Sequence, residues 1–368
     1  MQTATARILV ENTEPFGDSA PEALARLIAL AERAGASDVH IQRAVPEATV
    51  AFRLDGVMQP VANLPADLAE RVSGRIKFLA NLRTYQDSLP QEGRIAKEAL
   101  GCQTDVRVST YPAVTGEKIV LRLFAAAQPR TLEALEFPAA ARAALETFLR
   151  GSAGLLLLAG PAGSGKTTTI YACLQFLART TGRHIITIED PVEQLVAGVM
   201  QTEVNPAQGL TFAAAAKHLL RQDPEVLVIG EIRDEETANA AVRAALTGHM
   251  VISTLHAGSC RGVIERLLVL AEDRHAALTA LQLVLNQRLV RRSCAACSGA
   301  GCAACLHTGY RGRVPAVEWL RLDDAARAAV RERGPDAAVP AQPLRAAASD
   351  LVARGATAEA ECVRVFGP

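Results

Sequence analysis

Gly160-Pro-Ala-Gly-Ser-Gly-Lys166-Thr167 follows the apolar run Leu155–Ala159 and precedes a stretch of helical character. A multiply charged anion needs several backbone N–H groups turned toward one point, and the chain wraps that tightly only where glycines remove the Cβ clash. The spacing is G-x-x-x-x-G-K-[ST] in the strand–loop–helix setting that this physics requires. Gly160, Pro161, Ala162, Gly163, Ser164 and Gly165 would form the cradle, and Lys166 would reach the β/γ-phosphates. Thr167, with Thr168 beside it, would place a hydroxyl on Mg²⁺, and the positive end of the following helix would face the anion. A nucleoside triphosphate is the expected ligand.

Cleaving a γ-phosphate asks for an oriented water and positive charge for the transition state. Val226–Ile229 reads as a buried strand that delivers Glu231 at its carboxyl end, followed by Arg233 and Asp234. His184–Ile188 is a second such strand, delivering Glu189 and Asp190, and Met250–Thr254 a third, ending in Leu255-His256. Open α/β sheets bind ligands at those carboxyl ends. Glu231 is therefore the candidate general base or water-orienting group, and Glu189 and Asp190 are candidates to hold the waters of magnesium or to support its ligands from behind. His249 and His256 are weaker candidates on spacing alone.

Those strands belong to the second of two domains. A chain of 368 residues exceeds one ordinary core. Ser19-x-x-Glu22 is a capping box with Pro21 in the first turn, and Leu24, Leu27, Ile28 and Ala31 share one helical face before Gly35. Val39–Ile41 and Thr49–Pro60 alternate like strands around the turn Asp55-Gly56. Ala66–Leu82 returns to helical period, and Asp105–Ser109 and Lys118–Phe124 read as strands. The expected organisation is a flexible leader over 1–19, an N-terminal α/β domain over 20–126 and a linker over 127–137. Beyond the linker are expected a parallel, helix-flanked α/β domain over 138–290, a cysteine-rich element over 291–314 and a helical segment over 315–368.

Lys+Arg and Asp+Glu are both 39, so no overall charge marks a nucleic-acid binder. No uninterrupted apolar run nears the ~18 residues that cross a bilayer, so a cytosolic chain without a transmembrane segment is expected. In that compartment eight cysteines argue against disulfides. Cys294-x₂-Cys297 and Cys302-x₂-Cys305 are two knuckles able to give four thiolates to one tetrahedral Zn²⁺. Arg288, Arg291, Arg292, Arg311 and Arg313 surround them, yet only Tyr310 supplies an interleaved aromatic, so a nucleic-acid patch is not expected. Cys102, Cys173, Cys260 and Cys362 read as small apolar fillers.

Four ordered segments carry a resemblance: Gly160–Tyr171, Arg183–Glu193, Leu219–Asp234 and Thr247–His256. They are similar to the Walker A, Asp box, Walker B and His box of the type II secretion and type IV pilus assembly ATPases of the GspE/PulE type. Ala36–His40, Gln91–Arg94, Thr104–Thr110 and Gly116–Arg122 resemble that family's second N-terminal domain. The resemblance covers roughly residues 20–320 and implies a PAS-like domain joined to a RecA-like ATPase, working as a homo-oligomer, usually a hexamer. It implies that Lys166 and Thr167 hold phosphate and magnesium, that Glu231 acts on water and that His256 senses the γ-phosphate. Arg107 and Arg122 would approach that phosphate from the N-terminal domain, with Arg221 and Arg233 as further family arginines and His249 in the same set. An inner-membrane platform protein is the implied partner and the cytoplasmic face of that membrane the implied location.

The chain departs from the family in three places. Only about 20 residues precede the first helix, where full-length relatives usually carry another N-terminal domain; only Ser298–Gly301 separates the cysteine pairs, where the family often has a longer insertion; and Lys217 stands where arginine is frequent. The tetracysteine element favours assembly or secretion over retraction. A GTPase switch would want an Asn-Lys-x-Asp segment, and no asparagine here precedes lysine. A regulatory or scaffold ring with little intrinsic hydrolysis is the other function compatible with the motifs.

Overall fold

The computed structural model describes residues 17, 19–44, 46–103, 105–123 and 130–367. Most of the leader, Thr104, Phe124 and the first part of the linker lie outside these. The described residues form two compact units, one within Met1–Gln128 together with Arg291–Gly312, the other within Pro129–Val290 together with Arg313–Pro368. The cysteine element, read in the sequence as a module of its own, thus belongs to the first unit.

In the first unit α1 (Ala20–Ala34) starts where the Ser19 hydroxyl accepts the Glu22 N–H, and it stops at Gly35 with φ +68°. Then come β1 (Asp38–Gln42), β2 (Glu47–Leu54), β3 (Val57–Pro65), α2 (Ala66–Leu79), β4 (Gln91–Ile95), the one-turn α3 (Lys97–Leu100), β5 (Val106–Tyr111) and β6 (Lys118–Leu123). They make one antiparallel sheet in the order β3-β2-β1-β6-β5-β4. The expected Asp55-Gly56 turn joins β2 to β3, both residues at positive φ as a tight hairpin demands. Alternation puts Val39, Phe52, Val108 and Leu121 in a core with Leu24, Leu27 and Ile28 of α1 and Val72 and Ile76 of α2. The other face carries Asp38, Arg53, Arg107 and Arg122 in cross-strand register.

The second unit runs α4 (Ala139–Arg150), β7 (Gly154–Ala159), α5 (Lys166–Thr180), β8 (Ile185–Glu189), β9 (Val199–Glu203), α6 (Phe212–Leu219), β10 (Val226–Ile229), α7 (Glu235–Leu246) and β11 (Met250–Leu255). It continues through α8 (Cys260–Leu270), α9 (Arg274–Ala280), β12 (Leu281–Ser293) as far as Val290, β13 (Tyr310–Arg321) from Arg313 on, α10 (Asp324–Arg333), α11 (Leu344–Ala353) and α12 (Glu359–Phe366). The sheet order is β13-β12-β7-β11-β10-β8-β9, parallel from β12 to β9. Leu155 and Leu157 of β7 pack with Ala241 of α7 and Ile264 of α8. Leu156 and Leu158 pack on the other side with Leu145 of α4 and Leu174 of α5. Burial on both faces explains why these strands read as unbroken apolar runs.

This is the mixed α/β, RecA-like architecture expected from the motifs. The chain leaves β7 toward β8 on one side and leaves β11 toward β12 on the other. The topological switch, and with it the natural ligand crevice, falls at the carboxyl ends of β7 and β11. No helix among the described residues is long and apolar enough to cross a membrane.

Candidate active site

The phosphate loop joins β7 to α5. Gly160 sits at φ +137°, Gly163 at +74° and Gly165 at +92°, conformations that side chains resist. At Gly160 a Cβ would come within 2.4 Å of the Gln287 carbonyl, so glycine is needed there for space as well. Thr167 and Thr168 are exposed in the first turn of α5. Lys166 Nζ donates to the Gly160 and Pro161 carbonyls at 2.8 and 3.1 Å. Burial lowers the Lys166 pKa, the Glu231 carboxylate opposes that shift, and the Arg288 guanidinium adds to it.

Glu231 lies just beyond β10, its side chain only 16 % exposed. Its two oxygens meet two different partners: Arg233 Nε donates to Oε2 at 2.7 Å, and His256 Nε2 stands 3.0 Å from Oε1. The Arg233 pKa is raised, first by the hydrogen bond to Glu231 and then by its charge. The loop that aims Glu231 is itself fastened to β11, since the Ile232 N–H donates to the Thr254 carbonyl and the Thr254 hydroxyl to that of Gly230. Register brings the ends of β7, β11, β10 and β8 level, which gathers the phosphate loop, His256, Glu231 and Glu189 at one edge.

Glu189 is buried and fully engaged. It accepts from the Tyr171 and Thr187 hydroxyls, both at 2.5 Å, and from the Gln201 amide at 3.0 Å. Tyr171 in turn accepts the N–H groups of Glu193 and Gln194 at 3.1 Å. These bonds make Glu189 a brace between α5, β8 and β9, and they set it apart from Glu231, which no strand-to-strand brace consumes. Asp190 is exposed and stands 4.0 Å from Arg233. Lys217 pairs with Glu236, linking α6 to α7.

Two expected members of the set are elsewhere in this unit. His249 precedes β11, so it lies about 23 Å from His256 at ~3.3 Å per residue, where its Nδ1 meets the Ala244 carbonyl that ends α7. Arg221 lies in the turn that leads into the amino end of β10. Both sit at the edge opposite the phosphate loop, because in a parallel sheet the residues that enter a strand and those that leave it lie at opposite ends. Arg107 and Arg122 belong to the first unit, where they face each other across β5 and β6.

Sequence reasoning missed Gln287. It is buried on β12, donates from Nε2 to the Ser164 carbonyl at 2.8 Å and accepts the Thr169 hydroxyl at 3.1 Å, fastening both sides of the phosphate loop. The signal was there: Asn286-Gln287-Arg288 interrupts the apolar run from Leu283 to Val290. Asn286 Nδ2 donates to the Gly258 carbonyl and to Glu318 at 2.9 Å each, so the interruption is fully satisfied. Gln287→Ala leaves the Ser164 carbonyl unpaired and the loop loose. About 1–3 kcal/mol is expected to be lost from the fastening, read as a roughly tenfold weaker nucleotide Kd by equilibrium titration.

In the first unit, the Sγ atoms of Cys294, Cys297, Cys302 and Cys305 all lie within 4.8 Å of one another. The pairs Cys294–Cys302, Cys297–Cys305 and Cys302–Cys305 stand at 3.9, 3.8 and 3.8 Å. A tetrahedral ion with bonds of ~2.3 Å sets its sulfurs ~3.8 Å apart, and a disulfide would need ~2.05 Å, so the donor set fits zinc. Burial opposes ionisation of Cys305, but N–H groups of Cys302 and Gly309 outweigh it and bring that thiol down to about 7. Leu306 packs on the N-terminal core, and the Gly312 N–H donates to Asp55 at 2.8 Å. Arg291 lies over the Tyr310 ring at 4.0 Å. Elsewhere Cys173, Cys260 and Cys362 are buried among apolar neighbours, as fillers should be, while Cys102 is half-buried.

Comparison with known proteins completes the picture. The family described as Type II/IV secretion system protein matches residues 18–364. Type II secretion system protein E of Dickeya dadantii (strain 3937) is 40 % identical over 319 residues, 80 % of this chain and 64 % of that relative's own length. The ATPase DotB of Yersinia pseudotuberculosis superposes with a TM-score of 0.72 at 22 % identity, covering 96 % of this chain and 95 % of that one. The pilus retraction motor PilT, solved with bound ADP, does so with a TM-score of 0.64 at 25 % identity, covering 92 % and 96 %. With the loop, the strand-end acid and nearly the whole length accounted for, the chain belongs to the type II/IV secretion system protein family.

Proposed function

We propose that this protein is a hexameric ATPase that couples ATP hydrolysis to assembly of a type II secretion pseudopilus or type IV pilus. It works on an inner-membrane platform protein at the cytoplasmic face of that membrane and is held there by its partners. One observation carries the reading: a phosphate loop and a nearly buried carboxylate, Glu231, each oxygen of it oriented by a separate side chain, meet at the switch point of the sheet.

In this reading the N–H groups of Gly160 and of Ala162–Gly165 and the Lys166 ammonium bind the β- and γ-phosphates, and the Thr167 hydroxyl holds Mg²⁺. When bound, that ion supplies charge that offsets the anion. Glu231 orients the attacking water and takes its proton, while His256 ties the carboxylate to the γ-phosphate. Arg233 holds one oxygen of Glu231 in place. Arg107 and Arg122 bring positive charge to the γ-phosphate in the closed assembly, and the four thiolates hold Zn²⁺.

Phosphate release by the purified chain with Mg-ATP tests the reading, with Lys166→Ala as its partner measurement. Removing a charged donor worth about 1.5–3 kcal/mol should weaken ATP retention roughly 10- to 100-fold. Absence of turnover in the unaltered chain, or equal ATP retention by Lys166→Ala, overturns it.

A further inference from the structure

Across the outer face of the first unit's sheet, one register row holds Arg53 on β2, Asp38 on β1, Arg122 on β6, Arg107 on β5 and Arg94 on β4. Neighbouring strands lie ~4.8 Å apart, so Arg122, Arg107 and Arg94 stand directly opposite one another in sequence along the row, an arrangement of like charges that costs stability. Carboxylates sit toward both sides: Asp38 next to Arg122, and Asp105, which pairs with Arg94. Four guanidinium groups thus share one row.

The two carboxylates differ. Asp105 pairs at the surface, whereas the Asp38 side chain is only 6 % exposed beneath an Arg122 that is 64 % exposed. Asp38 Oδ1 accepts Arg122 Nε at 2.9 Å, Oδ2 lies 3.3 Å from Arg53 Nε, and the Ser37 hydroxyl donates to Oδ2 at 2.9 Å. Burying a carboxylate is costly unless it is paired on both oxygens, and here the pairing achieves it. Burial raises the Asp38 pKa, but the hydrogen bonds from Arg122 and Ser37 and the charges of Arg122 and Arg53 outweigh it, so the group stays ionised. Gripping a guanidinium at Nε fixes its plane and leaves both terminal nitrogens available.

We propose that Asp38 is a positioning residue for ATP hydrolysis: it holds Arg122 by the Nε edge so that the terminal nitrogens meet the triphosphate in a fixed orientation. The proposal deepens the reading above and rests on Arg122 reaching that phosphate. Asp38 itself touches no substrate. Its contribution is orientation, so its loss should fall on kcat and not on ATP affinity, because positioning errors near 1 Å cost up to about a hundredfold in rate.

The test is steady-state phosphate release by the full chain for Asp38→Asn, Arg122→Ala and the double variant, with thermal unfolding of each. Asp38→Asn should lower kcat at least about tenfold with KM within about twofold, and it should add nothing once Arg122 is alanine. Asp38→Glu retains the charge and the fold but shifts the guanidinium, and should lose about threefold in kcat with an unchanged unfolding midpoint. Full kcat in Asp38→Asn while Arg122→Ala is impaired overturns the positioning role alone. So do losses that multiply in the double variant, a loss confined to KM, or an Asp38→Asn that unfolds while Asp38→Glu turns over normally. Full turnover by Arg122→Ala instead overturns the phosphate-directed reading of Arg122, and the positioning role with it.

Discussion

Glu231→Gln should reduce ATP turnover by at least about 10²-fold while ATP remains bound. The amide keeps the size of the carboxylate, so the loop carried by Ile232 and Thr254 has no reason to move. What disappears is the proton acceptor and the negative charge. Arg233 and His256, each now at one oxygen of Glu231, would face an amide that can accept from only one of them well. Lys166 also loses the carboxylate that favours its charge, yet the loop amides and its own ammonium remain to hold phosphate. Phosphate release measured beside nucleotide retention separates the two effects. A kcat within a factor of two of the unaltered chain would remove Glu231 from the reaction and leave a nucleotide-binding scaffold as the better description.

The second large effect is expected at the cysteines. Elemental analysis should find one zinc per chain, and Cys294→Ser with Cys297→Ser should abolish it. Structural zinc sites contribute about 10–16 kcal/mol of apparent binding free energy that doubles as folding free energy. The loop between β12 and β13 has almost no apolar core to replace that, since Leu306 is its one large contact with the N-terminal core. Chelation should therefore expose residues 294–309 to limited proteolysis and free Gly312 from Asp55. Each ligand must be a thiolate, so affinity should fall as pH drops and protons compete for the sulfurs. An unchanged cleavage pattern after metal removal would show that the segment folds without an ion.

The phosphate loop, the strand-end acid Glu231 and the paired cysteines were legible in the chain because each depends on residues close together in sequence. Local spacing alone lets glycines bend, a strand end deliver an acid, or two knuckles share one ion. The same holds for α1 with its Ser19 cap and for the Asp55-Gly56 hairpin, which the structure reproduces. The bare alternation of apolar runs with helices was enough to indicate a parallel sheet, since burial on both faces leaves few polar positions.

Tertiary structure decided what pairs across the sheets. Gln287 lies more than a hundred residues from the loop that it fastens, and only the placement of β12 beside β7 brings them together. His249 and His256 look alike in sequence, yet a strand of six residues separates them to opposite edges. Glu189 and Glu231 both end strands, but one is consumed by Tyr171, Thr187 and Gln201 while the other keeps its oxygens toward Arg233 and His256. The arginine row and Asp38 arise from strands held in register, a property of hydrogen-bonded pairing that local composition does not encode. Sequence determined which chemical groups this protein owns; the sheet orders and registers determined which of them meet, because non-local pairing alone sets those distances.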